Sequence, residues 1–312
     1  MLHNIVFLDR ATLAVPLRPP AFPHEYREYE ATTADQASVR LAGATIAIVN
    51  KVPLSAQTLA QLPDLRLIAL AATGSDCVDK DYCREHGITV CNIRDYATDS
   101  VPEHVLALIF ALRRSLIAYV RDQRAGKWQA AGQFCYFDHP IRDLAGSTLG
   151  IVGYGTLGRA LGMKAQALGM RVIATSGRPG QGLVPLDDLL RQADIVSLHC
   201  PLTDATRGMI NANSLGLMKQ DAILINTARG ALIDDAALAD ALLNGRIAGA
   251  GIDVLTEEPP TNGNILLDLD LPNLIVTPHI AWASGSAQER LAGQLTDNLE
   301  AFAAGSPRNV VP

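Results

Sequence analysis

Residues 150 to 158 read Gly-Ile-Val-Gly-Tyr-Gly-Thr-Leu-Gly, an apolar run that ends in G-x-G-x-x-G before a helical pattern. A nucleotide diphosphate needs such a place. Gly153 allows a tight turn, Gly155 lets the backbone approach a pyrophosphate, and Gly158 lets the helix pack on the strand. The N–H groups that open the helix, at Thr156 and Leu157, then face the anion. With 25 glycines in the chain the motif alone is a weak signal, so its context carries the reading. That context is polar. Ser176 and Arg178, His199, Thr227 and Arg229, Asp253, and His279 each sit at or just after a later apolar run, and Glu258 stands just before Pro259 and Pro260. An imidazole, carboxylates and guanidinium groups placed this way are the equipment of proton transfer and anion binding.

Six short runs rich in Ile, Val and Leu must position these groups: Thr148 to Val152, Arg171 to Thr175, Ile195 to Leu198, Ala222 to Asn226, Ala250 to Asp253 and Leu274 to Thr277. Buried parallel strands have this composition. Between the first two, Arg159 to Leu168 is a helix stopped by Gly169; between the fourth and fifth, Asp234 to Asn244 is a capped helix stopped by Gly245. In a doubly wound sheet the ligand lies beyond the carboxyl ends of the strands, where the polar residues fall.

The first hundred residues form a separate, smaller α/β unit, with runs at Asn4 to Leu8, Ala44 to Val49, Leu67 to Ala71 and Thr89 to Asn92. A long helix then begins near Ser100, and an amphipathic helix from Ser286 to Ala304 returns the chain to the first unit. The expected fold is two-domain α/β: a Rossmann doubly wound parallel sheet over residues 100–284, and a smaller flavodoxin-like α/β substrate domain over 1–99 and 285–312.

At 312 residues the chain is long enough for two cores. Its formal net charge of −6, with no basic stripe, argues against a nucleic-acid partner. Five cysteines with no C-x-x-C pair argue against a disulfide framework or a zinc site, and no metal is expected. Ile5 to Leu8 runs straight into Asp9 and Arg10, so no secretory signal is read, and Val105 to Leu112 is too short to span a bilayer. A cytoplasmic protein without a membrane partner is the expectation.

The chain resembles the D-isomer-specific 2-hydroxyacid dehydrogenase family over nearly its whole length. The resemblance rests on Gly153 to Gly158 in their strand context, His199 to Thr203, Asn226 to Gly230, the Asp253 to Pro259 loop and Thr277 to His279. Ala71 to Asp79, Asn92 to Glu103 and Ala281 to Ser284 are most similar to its hydroxypyruvate-reducing branch. The resemblance implies reduction of a small 2-oxo acid to the 2-hydroxy acid, with hydroxypyruvate and glyoxylate as leading substrates. It also implies roles. Arg229 would bridge the substrate carboxylate and carbonyl oxygen, His279 would be the general acid and base, and Glu258 would hold its ring and favour its charged form. Thr73, Gly74 and Ser75 would cradle the substrate carboxylate through N–H groups, and Trp282 would wall the pocket. His199 and Pro201 would line the cofactor cleft, with Thr227, Ala228 and Asp253 toward the nicotinamide end. A homodimer is implied as well, using the long helix and the Trp128 region.

Where the commoner family pattern places an acidic residue on the adenosine ribose, this chain has Ser176 with Arg178 two positions on. A hydroxyl and a guanidinium accept a 2′-phosphate that a carboxylate repels, which favours NADP over NAD. Two other readings stay open at this level: a different substrate such as pyruvate or a bulkier 2-oxo acid, and a dinucleotide-sensing interaction protein on the same fold.

Overall fold

The computed structural model of the chain describes residues 2–177, 180 and 182–311. They divide into two compact units, Met1–Tyr96 with Ser284–Pro312, and Ala97–Ala283.

In the first unit the strands β1 (His3–Phe7), β2 (His24–Glu28), β3 (Ile46–Val49), β4 (Leu67–Leu70) and β5 (Thr89–Cys91) are all parallel, in the order β2-β1-β3-β4-β5. This is the flavodoxin-like order. Every residue of β3 and β4 is buried. A fully buried Ile or Leu contributes roughly 2 kcal/mol. Four apolar runs are expected here and five strands are found among the described residues. The additional one, β2, reads His-Glu-Tyr-Arg-Glu and pairs with β1 from His3↔His24 to Phe7↔Glu28. It lies at the sheet edge with mostly exposed side chains, so backbone pairing makes it a strand and no hydrophobic pattern marks it. The helix Gly285–Ala303 begins at Ser284, whose side chain accepts from the Ala287 N–H, and packs on β4.

In the second unit β6 (Thr148–Val152), β7 (Arg171–Thr175), β8 (Ile195–Leu198), β9 (Ile223–Asn226), β10 (Gly249–Ile252) and β11 (Leu274–Val276) are also all parallel. Their order is β11-β10-β9-β8-β6-β7, with Leu183 forming a further parallel bridge to Ala174 of β7. Each strand falls within a residue of the run expected for it. The order reverses between β6 and β8, and loops leaving two such strands diverge, which opens a crevice at their carboxyl ends. The helices Thr156–Ala167 and Asp235–Leu243 end just before Gly169 and Gly245; the second is capped by Asp234, which accepts from Ala236 and Ala237 N–H.

The helix Ser100–Arg113 lies along β10. Its approach is close because β10 is nearly bare. A methyl group on Gly251 would sit 3.1 Å from Leu108 Cβ, and one on Gly249 would sit 3.2 Å from Leu112 Cδ2. Leu108 and Leu112 are one helical turn apart on the same face, so the stripe that meets β10 continues upward through His104 and Ser100. Among the described residues no helix is long and apolar enough to cross a membrane.

Candidate active site

The crevice between β6 and β8 is a groove of about 660 Å³, lined among others by Gly153, Gly155, Thr156, Ser176, His199 and Pro201. Its floor requires glycine. Gly153 has φ +99°, and a Cβ there would lie 2.5 Å from the Cys200 backbone nitrogen, so only a bare α-carbon lets the β6 turn meet the loop after β8. A Cβ on Gly158 would lie 2.3 Å from the Gly153 carbonyl oxygen, which keeps the helix tight on the turn. Around Gly155 there is open space, where a ligand backbone can come close. The first helical bond runs from Arg159 N to Gly155 O, so the amides of the preceding first turn, Leu157 among them, are left to an anion.

Other groups fit the same occupant. Thr227 Oγ1 is buried without a hydrogen-bond partner among the described residues. A buried hydroxyl left unsatisfied costs about 1–3 kcal/mol, so such an atom marks a place that a polar ligand completes. His199 is half-buried; its Nε2 lies 2.8 Å from Ser197 Oγ, and desolvation pushes the imidazole down to about 4, so it is neutral at pH 7. No carboxylate is among the described residues lining the groove. The residues present thus fit a dinucleotide. Arg178 lies outside the described residues.

On the next strand, β9, Asn226 shapes the loop that carries Arg229. Its buried side chain receives the Ala228 N–H at 3.0 Å and donates to the Arg229 carbonyl at 2.8 Å. This folds Thr227, Ala228 and Arg229 back over the strand end. Arg229 is half-buried, and its guanidinium donates to the Ala228 carbonyl at 2.8 Å. Gly230 follows, and a Cβ there would lie 2.0 Å from the carbonyl carbon of Leu255, in the loop after β10. The Arg229 loop therefore rests directly on the loop that carries Glu258.

Glu258 holds its own loop and a histidine. One carboxylate oxygen accepts the Leu255 N–H at 2.9 Å, and the other lies 2.6 Å from His279 Nδ1. His279 sits in the loop after β11 with φ +56°, a left-handed conformation that costs about 1–3 kcal/mol in a residue with a Cβ. Its N–H donates to the Asp253 and Thr277 carbonyls at 2.8 and 3.0 Å, which holds the turn closed. With Nδ1 engaged by Glu258, Nε2 is the nitrogen available for proton exchange. This is the arrangement of an acid-base imidazole with an orienting carboxylate.

The carboxylate of Asp253 is enclosed, and its contacts go to the same turn. Oδ1 receives the Thr277 hydroxyl at 2.5 Å and the Ile280 N–H at 3.0 Å; Oδ2 receives the Ala281 N–H at 2.9 Å. Trp282 is half-buried just beyond. Thr73, Gly74 and Ser75 belong to the first unit, after β4, where Thr73 Oγ1 donates to the Ile93 carbonyl at 2.7 Å and Asn92 donates to the Thr73 carbonyl at 2.8 Å. The structure also brings forward residues that sequence reasoning passed over. Tyr154, Arg159 and Cys200 line the groove. Arg159 directly follows the third glycine of the motif, a position from which its cation was legible; Asn226, a polar residue closing an apolar run, was the corresponding sign on β9.

Three comparisons show what the chain is similar to. The family model for the D-isomer specific 2-hydroxyacid dehydrogenase, NAD binding domain, matches residues 106–281. The chain is 58% identical over 312 residues to the glycerate dehydrogenase of Methylorubrum extorquens, spanning 100% of this chain and 99% of that one. It is 38% identical over 293 residues to the hydroxypyruvate reductase of Blautia hydrogenotrophica, spanning 92% and 90%. Its fold superposes with a TM-score of 0.84 on the D-lactate dehydrogenase of Aquifex aeolicus complexed with NAD and lactic acid, at 29% identity, covering 97% of this chain and 96% of that one.

Proposed function

The chain belongs to the D-isomer-specific 2-hydroxyacid dehydrogenase family, and from that premise we propose that it reduces hydroxypyruvate or glyoxylate, to D-glycerate or glycolate, with NADPH preferred over NADH. The coarser activity, nicotinamide-dependent reduction of a 2-oxo acid to a D-2-hydroxy acid, follows from its relatives. The observation that carries the site assignment is the 2.6 Å contact between His279 Nδ1 and Glu258, on a loop against which the Arg229 loop is packed.

The bound nicotinamide supplies the hydride. What the chain does is hold the acceptor and move a proton. The Arg229 guanidinium takes the substrate carboxylate and the carbonyl oxygen, which orients the carbonyl carbon and stabilises the charge that grows on oxygen. His279 gives its Nε2 proton to that oxygen, and the Glu258 carboxylate stabilises the imidazolium beforehand and holds the ring's direction throughout. In oxidation the same nitrogen takes the proton back. The amides of the Thr156 helix start would hold the pyrophosphate, and Thr227 Oγ1, which has no hydrogen-bond partner among the described residues, would gain one.

The preference for NADPH is supported by Ser176 at the end of β7 and by the absence of a carboxylate among the described groove-lining residues. Steady-state turnover of hydroxypyruvate, glyoxylate and pyruvate with each reduced cofactor tests both parts. Failure on all three substrates would end the catalytic reading, and equal efficiency with both cofactors would end the phosphate assignment.

A homodimer is part of the same reading. Phe134 and Phe137 are 92% and 78% exposed beside the half-exposed Trp128, an apolar group that a second copy would cover. Sedimentation of the wild type against Phe134→Ser with Phe137→Ser tests it; a monomeric wild type would refute it. Five free thiols support a reducing compartment, with the cytoplasm as the proposed location.

A further inference from the structure

We propose that His104, on the helix Ser100–Arg113, is a positioning residue that holds the turn bearing His279 in its reactive conformation. The proposal rests on the assignment of His279 as the proton donor.

The turn from Thr277 to Ala281 is gripped by Asp253 at Thr277, His279, Ile280 and Ala281. Asp253 itself needs support. Its side chain is wholly enclosed, and a buried carboxylate without a compensating partner is costly. Among the described residues the one titratable nitrogen within 4 Å of it is His104 Nε2, at 3.6 Å from Oδ1. The same nitrogen lies 3.1 Å from Thr277 Oγ1.

The proton inventory fixes the direction of that contact. Thr277 has a single hydroxyl proton, and it goes to Asp253 Oδ1 at 2.5 Å. Its oxygen can then only accept, so His104 carries its proton on Nε2 and donates it. The result is a directed chain from His104 N–H to Thr277 O–H to the Asp253 carboxylate, whose main-chain carbonyl holds the His279 N–H. Chains of this kind strengthen one another inside a protein.

The helix is well placed to deliver the donor. One turn before His104, Ser100 Oγ donates to the Ala281 carbonyl at 2.7 Å, so two residues of one helical face hold the two ends of the turn. Further along that face, Leu108 and Leu112 press on Gly251 and Gly249 of β10. The stripe of Ser100, His104, Leu108 and Leu112 thus registers the helix against the strand that carries Asp253 and against the turn beyond it. His279, in its left-handed conformation, persists only where the surroundings over-determine it.

The test compares His104→Leu, His104→Gln, Thr277→Val and the double variant His104→Leu/Thr277→Val with the wild type. Misplacement of a reacting group by about 1 Å costs up to about 10²-fold, so His104→Leu is expected to lower kcat by about 10-fold or more while KM for the nucleotide stays within about twofold. Glutamine also offers an N–H donor, and His104→Gln is expected to recover kcat to within about threefold of wild type. The double variant is expected to lose little more than either single one, because both break one chain. Nitrogen-15 NMR of the histidine rings in the cofactor-free protein provides the readout that does not need turnover. The His279 Nδ1–H signal, held by Glu258 in the wild type, should weaken in His104→Leu and return in His104→Gln. An unchanged His279 signal in His104→Leu, a kcat within twofold of wild type, fully multiplicative losses in the double variant, or a glutamine variant as impaired as leucine would each overturn the proposal. A wild type inactive on every 2-oxo acid would instead overturn the assigned activity, and the NMR comparison would still decide the role of His104.

Discussion

Gly230 passes so close to Leu255 that a methyl group on its α-carbon would stand 2.0 Å from the Leu255 carbonyl carbon. The obstacle is backbone, which cannot rotate away as a side chain can. One hydrogen atom at this position therefore lets the Arg229 loop and the Glu258 loop share a surface.

Gly230→Ala should force these loops apart. Overpacking of this kind costs about 1–3 kcal/mol, and the backbone obstacle places this variant at the upper end. A lowered urea midpoint together with a kcat loss larger than that of Gly216→Ala, a site with open space around it, is the expected outcome.

Loss of the proton donor should be severe. His279→Ala is expected to lower kcat by about 10²- to 10⁴-fold with the nucleotide still bound, the usual range for a general acid. Glu258→Gln, which removes the carboxylate 2.6 Å from Nδ1 that holds the ring's direction, should lower kcat by about 10-fold or more while leaving nucleotide binding intact. Steady-state kcat for hydroxypyruvate reduction checks both, and an unchanged kcat in Glu258→Gln would detach Glu258 from the ring's chemistry.

Thr227→Val separates binding from folding. The hydroxyl is buried without a partner among the described residues, so its removal should leave the thermal midpoint unchanged or raise it. Nucleotide affinity should fall by about fivefold, the worth of one neutral hydrogen bond of about 1 kcal/mol. Calorimetric binding and thermal unfolding on the same samples give the two numbers.

His199 predicts a pH dependence of stability. Desolvation puts its folded value near 4, below the ordinary histidine value, so folding requires the neutral ring. Its contribution is complete above about pH 6.5 and is lost as pH falls toward 4. Between pH 7 and pH 5 the wild type should lose about 1–2 kcal/mol from this group, a loss absent in His199→Gln. Urea midpoints at the two pH values measure it, and identical slopes would refute it.

Cofactor choice is open to a charge test. Ser176→Asp places an anion at the end of β7, where it would repel a 2′-phosphate and accept a ribose hydroxyl, so KM for NADPH should rise at least about tenfold relative to NADH. Arg178→Ala should weaken NADPH more than NADH; equal losses would count against that phosphate assignment.

The amino-acid pattern alone prescribed the second sheet almost strand for strand, because parallel strands covered on both faces must be continuous apolar runs, and it marked the polar residues at their ends. It also fixed the glycine turn, since the steric demands at Gly153 and Gly158 admit no other residue. It could not announce β2, whose exposed His-Glu-Tyr-Arg-Glu becomes a strand only through its partner β1. Nor could it say that Glu258 reaches His279, that Asp253 turns inward to hold the Thr277–Ala281 turn, or that Thr227 is left without a partner among the described residues. Those facts depend on which loops lie side by side, and that is set by strand order and by the close approach at Gly230. Hydrophobic pattern is a local property of the chain, whereas hydrogen bonds between distant loops exist only once the sheet has brought their ends together.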